Sequence, residues 1–233
     1  MMKPDRFRHL SFAVALLLSL CFGADALYPE EQKPNAPVVK QPDPFVDRVV
    51  SYRIGDGGGQ NEEKLPQVVL GPPRGGGPLK AGTDVFSLGR GGEIVLEFSD
   101  NEVFDGPGPD LVIFENPFLE EPGNNPHAGF FELARLEVSP DGENWHSFPY
   151  DTGTKKGCAG WRPVHSNADE NAIPPDNSEK SGGDSFDLHD LKLDTIRFVR
   201  ITDLNNPHGR DKTTGFDLDA VISLHSRPRL PKE

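Results

Sequence analysis

Apolar positions through most of this chain recur with a period of two rather than 3.6. Residues 93–98 (EIVLEF) alternate strictly, with Ile94, Leu96 and Phe98 on one face and Glu93 and Glu97 on the other, the pattern of a strand with one buried side. Residues 111–114 (LVIF) form a short continuous apolar run, which predicts a strand covered on both faces. A further strand is predicted over 132–138, where Ala134, Leu136 and Val138 share a face. The turn 139–144 (SPDGEN) follows, its Asp-Gly pair favouring positive φ, and 145–148 returns as a strand with Trp145 assigned to the core. Residues 195–202 (TIRFVRIT) and 216–224 (FDLDAVISL) read as two long strands near the end, and 46–54 and 84–88 as two near the beginning. Pro and Gly interrupt nearly every helical window. Short strands bounded by Gly/Pro turns predict an all-β fold, a single antiparallel β-sandwich.

The remaining segments set the domain limits. Residues 1–26 pair a basic start (Lys3, Arg6, Arg8) with an apolar stretch ending in Gly23-Ala24-Asp25-Ala26. That is the layout of a secretory signal peptide cut after Ala26, and it predicts an exported protein at the periplasm, cell surface or medium, with no membrane span after cleavage. Residues 27–44 carry five prolines and predict an extended linker, 45–226 the sandwich, and 227–233 a frayed tail. The stretch 151–187 is polar, rich in Pro, Asn and Asp, and breaks the strand rhythm. A connection of that length inside a compact domain is expected to be either functional or loose.

Charge narrows the partners. The chain has 24 Lys plus Arg against 37 Asp plus Glu, a formal charge of −13. Loss of 1–26 removes three basic and two acidic residues and takes this to −14. So acidic a protein lacks the basic footprint that nucleic acid or an anionic membrane requires. Of two cysteines only Cys158 survives cleavage, so no internal disulfide is expected and core burial must hold the fold. Cys158 itself reads as a small buried hydrophobe rather than a nucleophile.

Carboxylates supply the candidate chemistry. Six of them (Glu97, Asp100, Glu102, Asp105, Asp110, Glu115) fall within 19 residues. Packed carboxylates repel unless a cation sits among them, and Ca²⁺, with six to eight oxygen ligands in flexible geometry, suits such a set. Asp100, Asp105 and Asp110 are the predicted ligands here, although the loop fails the EF-hand pattern at Phe104 and Asp105. Asp217 and Asp219 form a second candidate pair. Alternation places both on one face of a strand, roughly 7 Å apart, suited to a shared ion or to acid–base hydrolysis of a sugar. Asp203, Asn205, Asn206 and Asp211 lie just before them as further oxygen donors. The run 55–60 (GDGGGQ) fails the dinucleotide pattern and reads as a turn, and no metal-protease histidine spacing or Gly-x-Ser-x-Gly elbow is present. Trp161, between Gly160 and Arg162 in the long polar stretch, offers either a stacking surface for a sugar ring with Arg162 as a hydrogen-bonding neighbour, or a buried anchor.

Residues 89–99 (GRGGEIVLEFS), 105–118 (DGPGPDLVIFENPF) and 136–145 (LEVSPDGENW), followed in order by 198–204 (FVRITDL) and 215–221 (GFDLDAV), are similar to secreted bacterial cell-surface proteins built on a galactose-binding-like jelly roll, distantly related to discoidin and coagulation-factor C-type domains. The resemblance spans most of residues 48–224. It implies a β-sandwich with structural Ca²⁺ that binds glycans or other surface ligands through loops at one end, and it points to Asp105–Asp110 and Asp217/Asp219 as ion positions. The 151–187 stretch departs from the compact discoidin pattern. The function expected is therefore a non-catalytic, Ca²⁺-stabilised binding module of the envelope or surface, with a surface glycan as partner. A carbohydrate-active hydrolase with paired carboxylates and a purely structural adhesion protein are the two alternatives.

Overall fold

The computed structural model describes residues 43–119, 129–205 and 215–229. The predicted signal peptide, almost all of the linker, Asn206, Asp211 and the end of the tail lie outside them. Strands β1 (Arg48–Arg53), β2 (Phe86–Ser87), β3 (Glu93–Glu97), β4 (Asn101–Phe104) and β5 (Leu111–Phe114) come first. Next are β6 (Phe118–Leu119), β7 (Gly129–Phe130), β8 (Ala134–Ser139), β9 (His146–Ser147) and β10 (Asp184–Phe186). The series closes with β11 (Thr195–Ile196), β12 (Phe198–Asp203), β13 (Asp217–Leu218), β14 (Ala220–Ser223) and β15 (Ser226–Pro228). Every pairing between these strands is antiparallel.

Two sheets carry the architecture, a five-stranded one in the order β1-β3-β12-β8-β9 and a three-stranded one in the order β10-β5-β14. Their inner faces meet in one cluster. Ile94, Leu96, Leu136, Val138, Val199 and Ile201 enter it from the first sheet, and Leu111, Ile113, Phe186 and Val221 from the second. The fold is thus a β-sandwich. Alternation decides which residues reach this core: Ile201 sits opposite both Ile94 and Leu136, so one row of side chains crosses three strands on the same face.

The outer face of the five-stranded sheet is held by charge. Glu97, buried, receives both Arg48 and Arg197. Glu137 accepts two bonds from the Arg200 fork at 2.9 and 2.8 Å, and the Arg200 guanidinium lies 4.1 Å from the Trp145 ring centre. Trp145 is therefore half-buried at the sheet surface, not in the core, because a cation on β12 covers its face.

The three-stranded sheet is covered on both sides, as the run Leu111–Phe114 predicts. Its outer face carries Val112, Phe114, Ala220 and Ile222 under Val164, with Phe45 and Leu224 at the rim. Val164 belongs to the 151–187 stretch. That stretch is neither a free loop nor a loose one: β10 pairs with β5, Val164 bridges Gly182, and Ala159 bridges Ala134. Gly183, at φ 75°, passes so close to the sheet that a Cβ there would stand 2.7 Å from the Phe114 ring and 2.8 Å from Val112 Cγ1.

Both long strands near the C-terminus change partner midway. Residues 195–202 break at Arg197, so β11 joins β4 while β12 enters the five-stranded sheet. Residues 216–224 break at Asp219, so β13 pairs with β2 and β14 with β5. A sandwich turns its corners with strands that move from one sheet to another, and unbroken alternation in sequence conceals the turn. The tail begins later than predicted, because Ser226–Pro228 pairs with β4 as an edge strand, where a proline is tolerated.

Candidate functional site

The acidic run 97–115 is dealt out to separate places. Glu97 serves the two arginines above, and Glu102 takes Arg227 at 2.7 Å. Asp100 is exposed and belongs to neither acidic cluster described below. Asp110 is fully buried and acts as a staple. Its Oδ1 accepts Gly106 N–H at 2.8 Å and lies 2.8 Å from His225 Nδ1, and its Oδ2 accepts Leu188 N–H at 2.8 Å. Gly106 is required there, since a Cβ would meet the His225 ring at 2.4 Å. Asp105, Asp110 and Asp187 bring carboxylate oxygens within 4.8 Å of one another. Protein donors already reach these oxygens: Asp187 Oδ1 accepts His189 N–H at 2.9 Å, and His189 Nδ1 stands 3.6 Å from Asp105.

Asp217 and Asp219 do not share a site. The strand break at Asp219 turns its carboxylate toward Arg74, whose backbone N–H donates to Oδ1 at 3.1 Å and Oδ2 at 2.9 Å. Burial pushes this acid up to about 8. Asp217 instead joins Glu115 and Glu132, the three oxygens lying within 4.8 Å of one another. Glu115, 2% exposed, follows directly on β5, and Glu132, 5% exposed, precedes β8. Glu115 Oε1 accepts Asp217 N–H at 3.3 Å, Glu132 accepts Gly215 N–H, and Asn116 Nδ2 donates to Asp217 Oδ2 at 3.5 Å. Glu115 Oε2 and Asp217 Oδ1 are inaccessible and have no hydrogen-bond partner. Desolvation is the main cause that drives Glu115 well above the carboxylate range, Glu132 up to about 8 and Asp217 up to about 6, and neighbouring carboxylates add to each. Asp203 stands beside them with its oxygens occupied by the N–H groups of Gly91, Asn205 and Phe216 at 2.7 to 2.9 Å.

Glu115 appears in the sequence only as the end of the acidic run, and Glu132 only as the start of a strand. The signal that marks both is a lone acid embedded in apolar neighbours, Phe114 before one and Phe131 and Leu133 around the other.

Trp161 is half-buried and packs on Phe131, Leu133 and Cys158. With Arg162, Lys156, Cys158, Asp184 and Phe186 it lines a cavity of about 270 Å³. Gly160 and Trp161 donate their backbone N–H groups to Asp184 Oδ2 at 2.7 and 3.1 Å, while Asp184 Oδ1 is buried without a partner. Burial raises the Cys158 thiol to about 11, so it is not a thiolate nucleophile at neutral pH. A larger cleft of about 780 Å³ lies elsewhere, lined by Lys64, Arg74, Lys80, Asp84, Asn167 and Asp169 among others, with no aromatic side chain in its wall. Arg74 bridges Asp84 and Asp169 across it at 3.1 and 2.8 Å.

Asp184 carries a pH prediction. Desolvation raises it to about 7, against the N–H donation that favours its charge. Below about pH 4 both folded and unfolded forms are protonated. Between there and about 7 the folded form holds the extra proton, so stability present at low pH is lost as pH rises, and the slope ends above 7. In buffer free of divalent ions, urea unfolding should therefore show a midpoint lower at pH 8 than at pH 5. Asp184→Asn keeps the acceptor and should flatten that decline by on the order of 2 kcal/mol; an unchanged slope would assign it to other groups.

Among the described residues no helix is long and apolar enough to cross a membrane. No protein-family model and no curated protein matches the sequence. Among solved structures, the C-terminal domain of a chitobiase from Bacteroides fragilis aligns over 76% of this chain and 91% of its own, at 15% identity and a TM-score of 0.33, a likeness too loose to carry an argument about ligand or activity.

Proposed function

We propose that this chain is an exported, non-catalytic binding module that holds a sugar residue of a surface glycan at the Trp161 cavity. The observation that carries the reading is the composition of that one cavity wall. It combines an indole (Trp161), two cationic donors (Arg162 and Lys156) and a carboxylate (Asp184). Sugar recognition needs an apolar face for the ring and polar groups for its hydroxyls. A volume near 270 Å³ suits one sugar unit rather than a long chain. The 780 Å³ cleft is larger but offers no aromatic surface for stacking. Export rests on the leader pattern of residues 1–26.

Hydrolysis by paired carboxylates has less support. Asp217 and Asp219 face different partners, and neither lines the two cavities described. The test is binding to immobilised glycans. Trp161→Ala should weaken the preferred glycan at least tenfold, about 1.4 kcal/mol, and Arg74→Ala should leave it unchanged. Loss with Arg74→Ala alone would move the site to the larger cleft. Turnover of the bound glycan that disappears in Asp217→Asn would replace the module by an enzyme.

A further inference from the structure

We propose that Glu115, Glu132 and Asp217 form a buried site for a hard divalent cation, Ca²⁺ above all, that ties the end of β5, the approach to β8 and β13 together. None of the three lines the Trp161 cavity, and the proposal does not rest on glycan binding. Two independent observations converge on it. Three carboxylates from segments far apart in sequence bring oxygens within 4.8 Å of one another. In addition, Glu115, only 2% exposed, holds Oε2 without any hydrogen-bond partner, and Asp217 Oδ1 is in the same condition. An unsatisfied buried charged oxygen is costly, and two in one cluster of like charges are costlier still. Among the described residues no Lys, Arg or His ion-pairs with any of the three. The neighbouring Asp203 cannot relieve them, being itself an acid already bound to three backbone N–H groups.

The donor set selects the guest. All three groups are oxygen ligands, with no imidazole or thiolate, which favours a hard cation over zinc. Ca²⁺ accepts irregular oxygen shells with ligands up to about 5 Å apart across the ion, whereas Mg²⁺ demands a near-ideal octahedron, and the three oxygens lie within the reach of Ca²⁺. A divalent charge among three carboxylates would leave about one negative charge in place of three. Oxygens of Asp105, Asp110 and Asp187 also lie within 4.8 Å of one another, but backbone N–H groups and two histidines already reach oxygens of that cluster.

The experiment is calorimetric titration of the full chain with Ca²⁺ and with Mg²⁺, paired with thermal unfolding in Ca²⁺ and in chelator. One Ca²⁺ per chain is expected at this site, and at free Ca²⁺ a hundred times Kd the folding equilibrium constant should rise about 100-fold. Glu115→Gln and Asp217→Asn should each weaken Ca²⁺ at least tenfold. Both should melt no lower than the unsubstituted chain in chelator, because each replaces an acid that burial and its neighbours make costly to ionise. That second outcome separates lost coordination from a damaged fold, and Glu132→Gln provides a third variant should either fail to express. Absence of both heat and melting shift in the unsubstituted chain would overturn the proposal, leaving shared protons to relieve the cluster. A Ca²⁺ response undiminished in all three variants would overturn it equally, since the ion would then sit elsewhere.

Discussion

Asp110→Ala is expected to lower stability by about 3–5 kcal/mol, the range for removing one partner from a buried, hydrogen-bonded charge set. Three donors converge on this carboxylate: the N–H groups of Gly106 and Leu188, and His225. The backbone of the same residue also bonds Phe186 and Leu224, so side chain and main chain together join the Gly-Pro loop, the segment after β10 and the chain between β14 and β15. With Ala in place all three donors lose their acceptor inside the fold. Asp110→Asn rescues little, because its NH₂ end faces a donor whichever way the amide is turned. Urea unfolding should show a lower midpoint with an unchanged slope. A loss under 1 kcal/mol would mean that water reaches these donors and that the staple is not structural.

Phe114→Ala should cost a comparable 3–5 kcal/mol, the range for truncating a fully buried Phe. Phe114 is 0% exposed on the outer face of the three-stranded sheet, where Val164 and Gly183 of the long polar stretch press against it. The cavity left behind lies at the contact between that stretch and the sheet. Limited proteolysis within 151–187 should accelerate in this variant before global unfolding, because the lid loses the ring it packs on. Leu79→Ala, at a side chain 55% exposed, is the matched control and should stay within about 0.5 kcal/mol. An equally small change in Phe114→Ala would show that the stretch drapes over the sheet without packing on it.

The two predictions test features of unequal visibility in the sequence. Continuous apolarity at Leu111–Phe114 already announces a strand buried on both sides, since a half-exposed strand would alternate. What covers its outer face was not legible, because Val164 comes from a segment that reads as polar loop, and its contact with the sheet is fixed by Gly183 and by the pairing of β10 with β5. Asp110 is legible as an acid in a Gly-Pro turn, but not as an acid already satisfied. Its donors lie at positions 106, 188 and 225, and only the fold brings them within hydrogen-bonding distance.

The same division runs through the carboxylates and the aromatics. Proximity in sequence groups Asp100, Asp105 and Asp110; the fold keeps Asp105 and Asp110 together, adds Asp187 from a distant segment and leaves Asp100 out, while arginines take Glu97 and Glu102. Alternation pairs Asp217 with Asp219, yet the strand changes sheets between them, and the two acids end on different partners. Trp145 reads as core and sits instead under Arg200, while Trp161, legible only as either a stacking surface or a buried anchor, is half-buried against Phe131 and Leu133 and lines a cavity with Arg162.

Period-two patterning and turn chemistry, both local properties, by themselves determined most of the longer strands, the all-β class and the inner face of the five-stranded sheet. They did not determine the face that β14 turns inward, where Val221 rather than Ala220 and Ile222 enters the central core. Tertiary structure alone decided which carboxylates face one another, where two long strands turn from one sheet to the next, and that a polar stretch is a docked lid. Electrostatic grouping depends on distance in space, and a chain of alternating residues holds no information about distance until its sheets close on a common core.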